Sequence, residues 1–419
     1  MRSYFCSKND EMLSWKMIEL IKNGTITSAK GFVAGGISAG IKISSENNLD
    51  LGIVKSKNLS NIAATFTSNK VVSPSVTVSK EKIALGNSAQ AIIVNSGCAN
   101  CCVGNQGYLD AQEMCDLVST HHSISSENVF VASTGMIGVE LPMALIRNHV
   151  GNIKLTEDGG HDFAKSIMTT DTRRKEIAVS FEIDGSRVTI GAVAKGVGMI
   201  HPNMATMLCF IATDANVESG FLQTSLKSSV DTSFNMIDVD GDQSTNDSVF
   251  VMANGASGTS EINKDSIAAN DFQDALSYVC IQLAKELVKD GEGAQRLLQV
   301  TIEGADSLKD ARKGARSVVS SLLVKSMVHG GDPNWGRIMM ALGKSEIKVI
   351  ESEIDIFLND IHIVHKGVSI PFLKEAVVSA MRVEEVNFKI NINQGNFSAT
   401  AWGCDMTEEY VIFNSAYST

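Results

Sequence analysis

Apolar residues in this chain fall in short blocks that stop at Gly, Asn, Ser or Asp. Gln90-Ala91-Ile92-Ile93-Val94 predicts a buried strand, with Asn95-Ser96-Gly97 as the turn that ends it. A helix is expected at about 109–120, with Leu109, Met114, Leu117 and Val118 on one side. Asn128-Val129-Phe130-Val131-Ala132 predicts a second buried strand, running into a turn at Ser133-Thr134-Gly135. Val179, Phe181 and Ile183 alternate with polar residues, as do Val188 and Ile190 beyond Asp184-Gly185. That is a hairpin pattern, because Asp-Gly supplies the positive φ angles of a tight primed turn. Leu208-Cys209-Phe210-Ile211-Ala212 reads as a core strand. Phe272, Leu276, Val279, Cys280, Leu283 and Leu287 keep helical spacing across 271–289, and Gly291 marks the stop. Leu298, Val300 and Ile302 alternate as a strand, and so do Val386, Phe388, Ile390 and Ile392. Met12 to Ile21 has the spacing of a short amphipathic helix within an N-terminal extension, 1–29. Strands and helices mixed in this way predict an α/β fold.

Composition narrows the classes. The 419 residues are 44% hydrophobic and 20% charged, enough to bury the cores of more than one domain. No run of about 18 apolar residues appears, so no membrane span is expected. The net charge of −11, with no Lys- and Arg-rich block, argues against nucleic acid or an anionic membrane as partner. The eight cysteines include one group, Cys98, Cys101 and Cys102. A Cys-x-x-Cys pair can bind metal, but no second Cys/His pair follows at zinc spacing, so the expectation is small buried residues after a strand. Free cysteines and the lack of an apolar signal core predict a cytoplasmic location. Asp238, Asp240, Asp242 and Asp247 lack the closing glutamate of an EF-hand and are read as a structural turn.

The segment Lys195-Gly196-Val197-Gly198-Met199-Ile200-His201-Pro202-Asn203-Met204-Ala205-Thr206-Met207-Leu208 brings a loop to the start of a buried strand, with one hydroxyl, Thr206, at the junction. Residue pattern alone makes Thr206 structural, and the Gly-x-Gly lacks the strand-turn-helix setting of a nucleotide site.

The same segment resembles the self-cleavage region of the ornithine acetyltransferase (glutamate N-acetyltransferase) family. Further matching stretches run through the chain in order: Ala132-Ser133-Thr134-Gly135-Met136-Ile137-Gly138, Ile167-Met168-Thr169-Thr170-Asp171-Thr172, Asp240-Gly241-Asp242-Gln243-Ser244-Thr245-Asn246-Asp247, Gly291-Glu292-Gly293-Ala294, Gly331-Asp332-Pro333-Asn334-Trp335-Gly336-Arg337-Ile338 and Tyr410-Val411-Ile412-Phe413-Asn414. The resemblance implies a two-domain, self-cleaving α/β fold of the aminopeptidase/ornithine acetyltransferase type, with the active site between the domains. The expected division is 30–220, holding the Ala205–Thr206 cleavage site, and 221–419. The processed chains would be 1–205 and 206–419, assembled as α2β2.

The implied chemistry is acetyl transfer from N2-acetyl-L-ornithine to L-glutamate, in arginine biosynthesis, through an acetyl ester on Thr206. Attack of Thr206 on the Ala205 carbonyl would convert the peptide to an ester, and water would split it. Thr206 would then carry a free α-amine of pKa about 7.7–8.0, able to serve as base to its own hydroxyl. The resemblance assigns Thr134 and Gly135 to the oxyanion hole, and Thr169, Lys195, Thr206, Glu292, Asn414 and Thr419 to substrate binding. Between Thr169 and Thr170 the residues leave the choice open. No metal or organic cofactor is implied, and acetyl-CoA as a co-substrate stays open. A self-cleaving aminopeptidase of related fold is the rival enzyme, separated by a peptide hydrolysis assay. A non-catalytic binding protein is the rival from another class, signalled by failure to cleave.

Overall fold

The computed structural model describes residues 18–42, 48–201 and 207–416. In chain order its strands are β1 (Glu19–Leu20), β2 (Phe32–Ile37), β3 (Leu51–Phe66), β4 (Ser88–Cys98), β5 (Val129–Met136), β6 (Lys175–Ile183), β7 (Ser186–Lys195), β8 (Leu208–Thr213), β9 (Ile237–Asp238) and β10 (Ser248–Ala253). They continue as β11 (Leu297–Ala305), β12 (Asp355–Leu358), β13 (Ile361–His365), β14 (Val368–Ser369), β15 (Glu385–Asn391) and β16 (Phe397–Cys404). Among the described residues these make two sheets. The first has the order β1-β6-β7-β8-β10-β3-β4-β5, with β2 also on β3; the second has the order β14-β13-β12-β15-β11-β16-β9.

The helix Ala269–Lys289 presents Phe272, Leu276, Val279, Leu283 and Leu287 to one continuous core, which takes in Val179 and Ile190 of the first sheet and Val300 and Ala401 of the second. Each of these side chains is essentially solvent-free, and full burial of a large aliphatic or aromatic side chain contributes about 1.5–3 kcal/mol. The opposite face of the first sheet gathers Phe130, Phe163, Phe210 and Phe250, with Phe210 and Phe250 stacked at 5.8 Å. The fold is thus α/β with two sheets and helices against them. No described helix is long and apolar enough to cross a membrane.

The hairpin at Asp184-Gly185 forms as expected. β6 and β7 pair from Lys175↔Ala194 to Ile183↔Ser186, and φ is +52° at Asp184 and +75° at Gly185.

Two expectations need correction. The helix spans Gly104–His122, and its buried stripe is Gly107, Asp110, Ala111, Met114, Cys115 and Val118; Leu109 falls off that stripe and is half exposed. The Asn95-Ser96-Gly97 and Ser133-Thr134-Gly135 segments are not turns. They continue β4 and β5 and pair with each other in parallel, Asn95↔Ser133, Ser96↔Thr134 and Gly97↔Gly135. Two of their side-chain donors are met inside the protein, Asn95 Nδ2 by the Cys98 carbonyl at 2.8 Å and Ser96 Oγ by the Ser166 carbonyl at 2.6 Å. β10 lies inside the first sheet between β8 and β3, parallel to β8, and the helix Ser219–Thr232 is the crossover that joins β8 to it.

The N-terminal extension is described only from Ile18. Of the helix expected from Met12 to Ile21, Met12–Met17 lie outside the described residues, and Glu19–Leu20 form an edge strand on β6 instead. Ile26 and Ala29 are fully buried, so this part of 1–29 belongs to the core.

Candidate active site

The parallel ends of β4 and β5 open into a cavity of about 360 Å³. Thr134 and Gly135 line it. Gly135 has φ +128°, and a Cβ there would come within 2.3 Å of the Gly97 carbonyl carbon, so the two strand backbones meet where a larger residue cannot fit. Asn246 ties these strand ends together, its Nδ2 donating to the Ala99 carbonyl at 2.6 Å and the Ser133 carbonyl at 2.8 Å.

Lys195, the last residue of β7, is buried and pairs with Leu208 at the start of β8. Its Nζ donates to Thr169 Oγ1 at 3.3 Å, and among the described residues it makes no direct ion pair. Burial pulls the Lys195 ammonium below the ordinary lysine range, against the nearby charge of Asp171. Asp171 is already engaged, with Lys175 Nζ at 2.5 Å and the Gly196 amide at 2.9 Å on one oxygen and the Thr169 amide at 3.0 Å on the other. Lys175 also reaches Asp290 Oδ2 at 2.6 Å. This buried triad holds the 169–172 loop, the Lys195–Gly196 corner and the end of the Ala269–Lys289 helix in one frame.

Glu292 follows that helix end and faces Lys195's side of the cavity. Its Oε1 accepts from Thr170 Oγ1 at 2.9 Å, its Oε2 from Asn414 Nδ2 at 2.8 Å, and its amide donates to the Val197 carbonyl at 2.9 Å. Gly198 leaves room for it: a Cβ there would stand 2.6 Å from Glu292 Oε2. The C-terminal helix Glu408–Ala416 returns to the site and brings Tyr410 and Asn414 to the cavity. Tyr410 donates its hydroxyl to Asp240 Oδ2 at 3.3 Å, and burial beside Asp240 raises its phenol well above the usual range.

The cavity therefore gathers Thr134, Gly135, Thr169, Lys195, Glu292 and Asn414, with both Thr169 and Thr170 in its wall. Ala205, Thr206 and Thr419 lie outside the described residues. The described flanks of the Ala205–Thr206 bond are anchored on either side. His201 Nδ1 meets Asp238 Oδ1 at 2.9 Å, and the Met207 amide donates to Asp247 Oδ1 at 3.0 Å. Burial holds the Asp247 carboxyl well above the usual carboxylate range.

The acidic stretch does more than turn the chain. Asp238 pairs with buried Lys325 at 3.1 Å, and Asp240 accepts from the Met199 and Ile200 amides at 2.5 and 2.9 Å while it and Asp242 line the cavity. The sequence alone gives neither this stretch nor Tyr410 a place at the site; the signal it does carry is their closeness to the Gln243–Asp247 motif and to Asn414. Of the cysteine group, Cys98 and Cys101 are buried as expected and Cys102 is exposed, with Cys101 and Cys102 Sγ 3.8 Å apart.

The profile of the ArgJ family matches residues 33–419. The chain is 46% identical over 402 residues to the arginine biosynthesis bifunctional protein ArgJ of Dehalococcoides mccartyi, covering 96% of this chain and 99% of that protein. It is 44% identical over 409 residues to the protein of the same name from Oceanobacillus iheyensis, covering 98% and 100%. A crystal structure of the Bacillus halodurans ArgJ protein is 38% identical and covers 50% of this chain and 98% of that one, at a TM-score of 0.49. Identity at this level, sustained over nearly the whole of both chains, makes this protein a member of the ArgJ family.

Proposed function

We propose that this protein is a glutamate N-acetyltransferase that moves the acetyl group of N2-acetyl-L-ornithine to L-glutamate in arginine biosynthesis. One observation carries the reading. Lys195, a buried ammonium without a direct ion-pair partner among the described residues, and a carboxylate, Glu292, line the same small cavity. A buried cation is stable when an anion meets it, and an amino acid brings the matching charges. The substrate α-carboxylate meets Lys195 and Thr169, and the ornithine side-chain ammonium meets Glu292 beside Asn414.

The chain first cleaves itself. Thr206 Oγ attacks the Ala205 carbonyl, the peptide becomes an ester, and water hydrolyses it to free the Thr206 α-amine. In turnover that amine takes the Thr206 hydroxyl proton as Oγ attacks the acetyl carbonyl. Thr134 and Gly135 supply donors to the oxyanion, a contribution that typically costs about 100- to 1000-fold in rate when one is lost. The proton passes to the leaving α-nitrogen, ornithine departs, and the acetyl group stays as an ester on Thr206. The α-amine of glutamate then attacks the ester and leaves as N-acetylglutamate, restoring the hydroxyl. The processed chains 1–205 and 206–419 associate as α2β2 in the cytoplasm.

The test is transfer from N2-acetylornithine to isotopically labelled glutamate. Labelled N-acetylglutamate formed one-for-one with ornithine, with parallel double-reciprocal plots, supports the proposal. Release of free acetate alone, or hydrolysis of peptides in its place, supports the aminopeptidase reading.

A further inference from the structure

A second cluster of reactive side chains lies on the second sheet, and none of its members lines the cavity. His362 and His365 are three residues apart on β13, a spacing that places side chains on opposite faces of a regular strand. Here the register slips. Ile356 faces Val364 but Phe357 faces His362, which leaves Ile363 as an extra residue in β13. In consequence Ile363 and Val364 are both fully buried, and the two histidines share the other face.

Asp355, at the start of β12, completes the group. Its Oδ1 meets His365 Nδ1 at 2.8 Å and lies 3.7 Å from His362 Nε2. The carboxylate is held in place from behind, by the Lys366 amide at 3.0 Å and by Asn393 Nδ2 at 3.3 Å on Oδ2. The His362 ring is fixed by stacking on Phe357, with centroids 4.3 Å apart and planes 14° from parallel. Its Nε2 is shielded from solvent and has no hydrogen-bond partner among the described residues. That is an unmet demand, since a buried polar atom left unpaired costs about 1–3 kcal/mol.

We propose that Asp355, His362 and His365 form a binding site for one divalent ion of the zinc class, with water completing the coordination. Two imidazole nitrogens and one carboxylate oxygen are the donors zinc takes in three-ligand sites. The three donor atoms lie within 4.8 Å of one another. Tetrahedral bonds of about 2.0–2.1 Å set ligand atoms roughly 3.3 Å apart, and half-exposed His365 closes that gap by a small side-chain rotation. The Asn393 contact to Asp355 is the kind of outer support that keeps a metal-ligating carboxylate in line. The ion would clamp β12 to β13 at the bulge. Its place between two paired strands makes the site structural in character.

The test uses the full chain, stripped with chelator and titrated with zinc chloride by calorimetry, beside Asp355→Asn and His365→Gln. The expected result is one ion bound per chain, an affinity at least about tenfold weaker in each variant, and a zinc-induced rise in Tm that the variants lose. His365→Gln alters an exposed side chain, so the metal-free Tm serves as its folding control. No zinc uptake by the unaltered protein, or equal uptake by all three proteins, overturns the proposal.

Discussion

Lys195 Nζ stands 3.3 Å from Thr169 Oγ1, a buried ammonium held, among the described residues, by a hydroxyl and not by a carboxylate. The acidic group closest in the motif, Asp171, is turned to Lys175 and to the Gly196 amide. On the proposed reading the charge of Lys195 is met by the substrate carboxylate, and its titration becomes a readout of binding.

The pH profile follows from that. Burial lowers the Lys195 pKa, so the ammonium loses its proton below the ordinary lysine value of about 10.4. If Lys195 anchors the substrate carboxylate as proposed, rising pH removes that anchor, and kcat/KM falls on the alkaline side. If the Thr206 α-amine is the base, with the ordinary α-amine pKa of about 7.7–8.0, kcat/KM falls on the acid side as it takes up a proton. Lys42, pushed down to about 8 by burial, is a second lysine that loses its proton below the ordinary range. Lys195→Arg separates the two, because a guanidinium stays charged: the alkaline limb moves to higher pH if Lys195 sets it. A limb that stays in place assigns it elsewhere.

Glu292 is expected to tell the two substrates apart. Glu292→Gln keeps its shape toward Thr170 and Asn414 but removes the charge. We expect kcat/KM for N2-acetylornithine to fall at least about tenfold, equal to about 1.4 kcal/mol. That for glutamate, whose side chain is itself anionic, should hold or rise. Steady-state kinetics with each substrate varied in turn check this.

Gly135→Ala places a methyl group 2.3 Å from the Gly97 carbonyl carbon at φ +128°. The β4 and β5 ends must part, and the backbone beside Thr134 moves with them. The expected outcome is a loss of kcat of about 100-fold or more with far-UV circular dichroism retained. Unchanged kcat would remove Thr134–Gly135 from the oxyanion hole.

Lys175→Met leaves Asp171 and Asp290 buried without their shared cation. Removing one partner of a buried ion pair costs about 3–5 kcal/mol, which urea denaturation should register. Activity should fall too, since Asp171 also fixes Gly196 and Thr169.

Much of this was legible in the residues. The hairpin at Asp184-Gly185 and the helix across 271–289 follow from period and turn chemistry, which are local. The Ser-Thr-Gly and Asn-Ser-Gly segments mislead because their serines bond to distant partners, Ser133 to Ser75 and Ser96 to the Ser166 carbonyl. Nothing local reveals that β10 inserts between β8 and β3, since that pairing is decided by long-range packing. At the site, the order of motifs marked Thr134, Lys195, Glu292 and Asn414. Asp240 reads from sequence only as part of a turn, and Tyr410 carries no role there, because only the folded chain brings the C-terminal helix over the 238–247 segment.

The central claim is that Thr206 is freed by cleavage and then carries the acetyl group. The most direct measurement is the denatured mass of the purified protein, quenched after incubation with N2-acetylornithine and no glutamate. The uncut chain is 44.8 kDa. We predict two fragments of roughly 22 and 23 kDa by proportion to length, the larger beginning at Thr206 and heavier by one acetyl group, about 42 Da, until glutamate is added. A single uncut mass, or two fragments that never gain the acetyl group while turnover proceeds, would contradict the account.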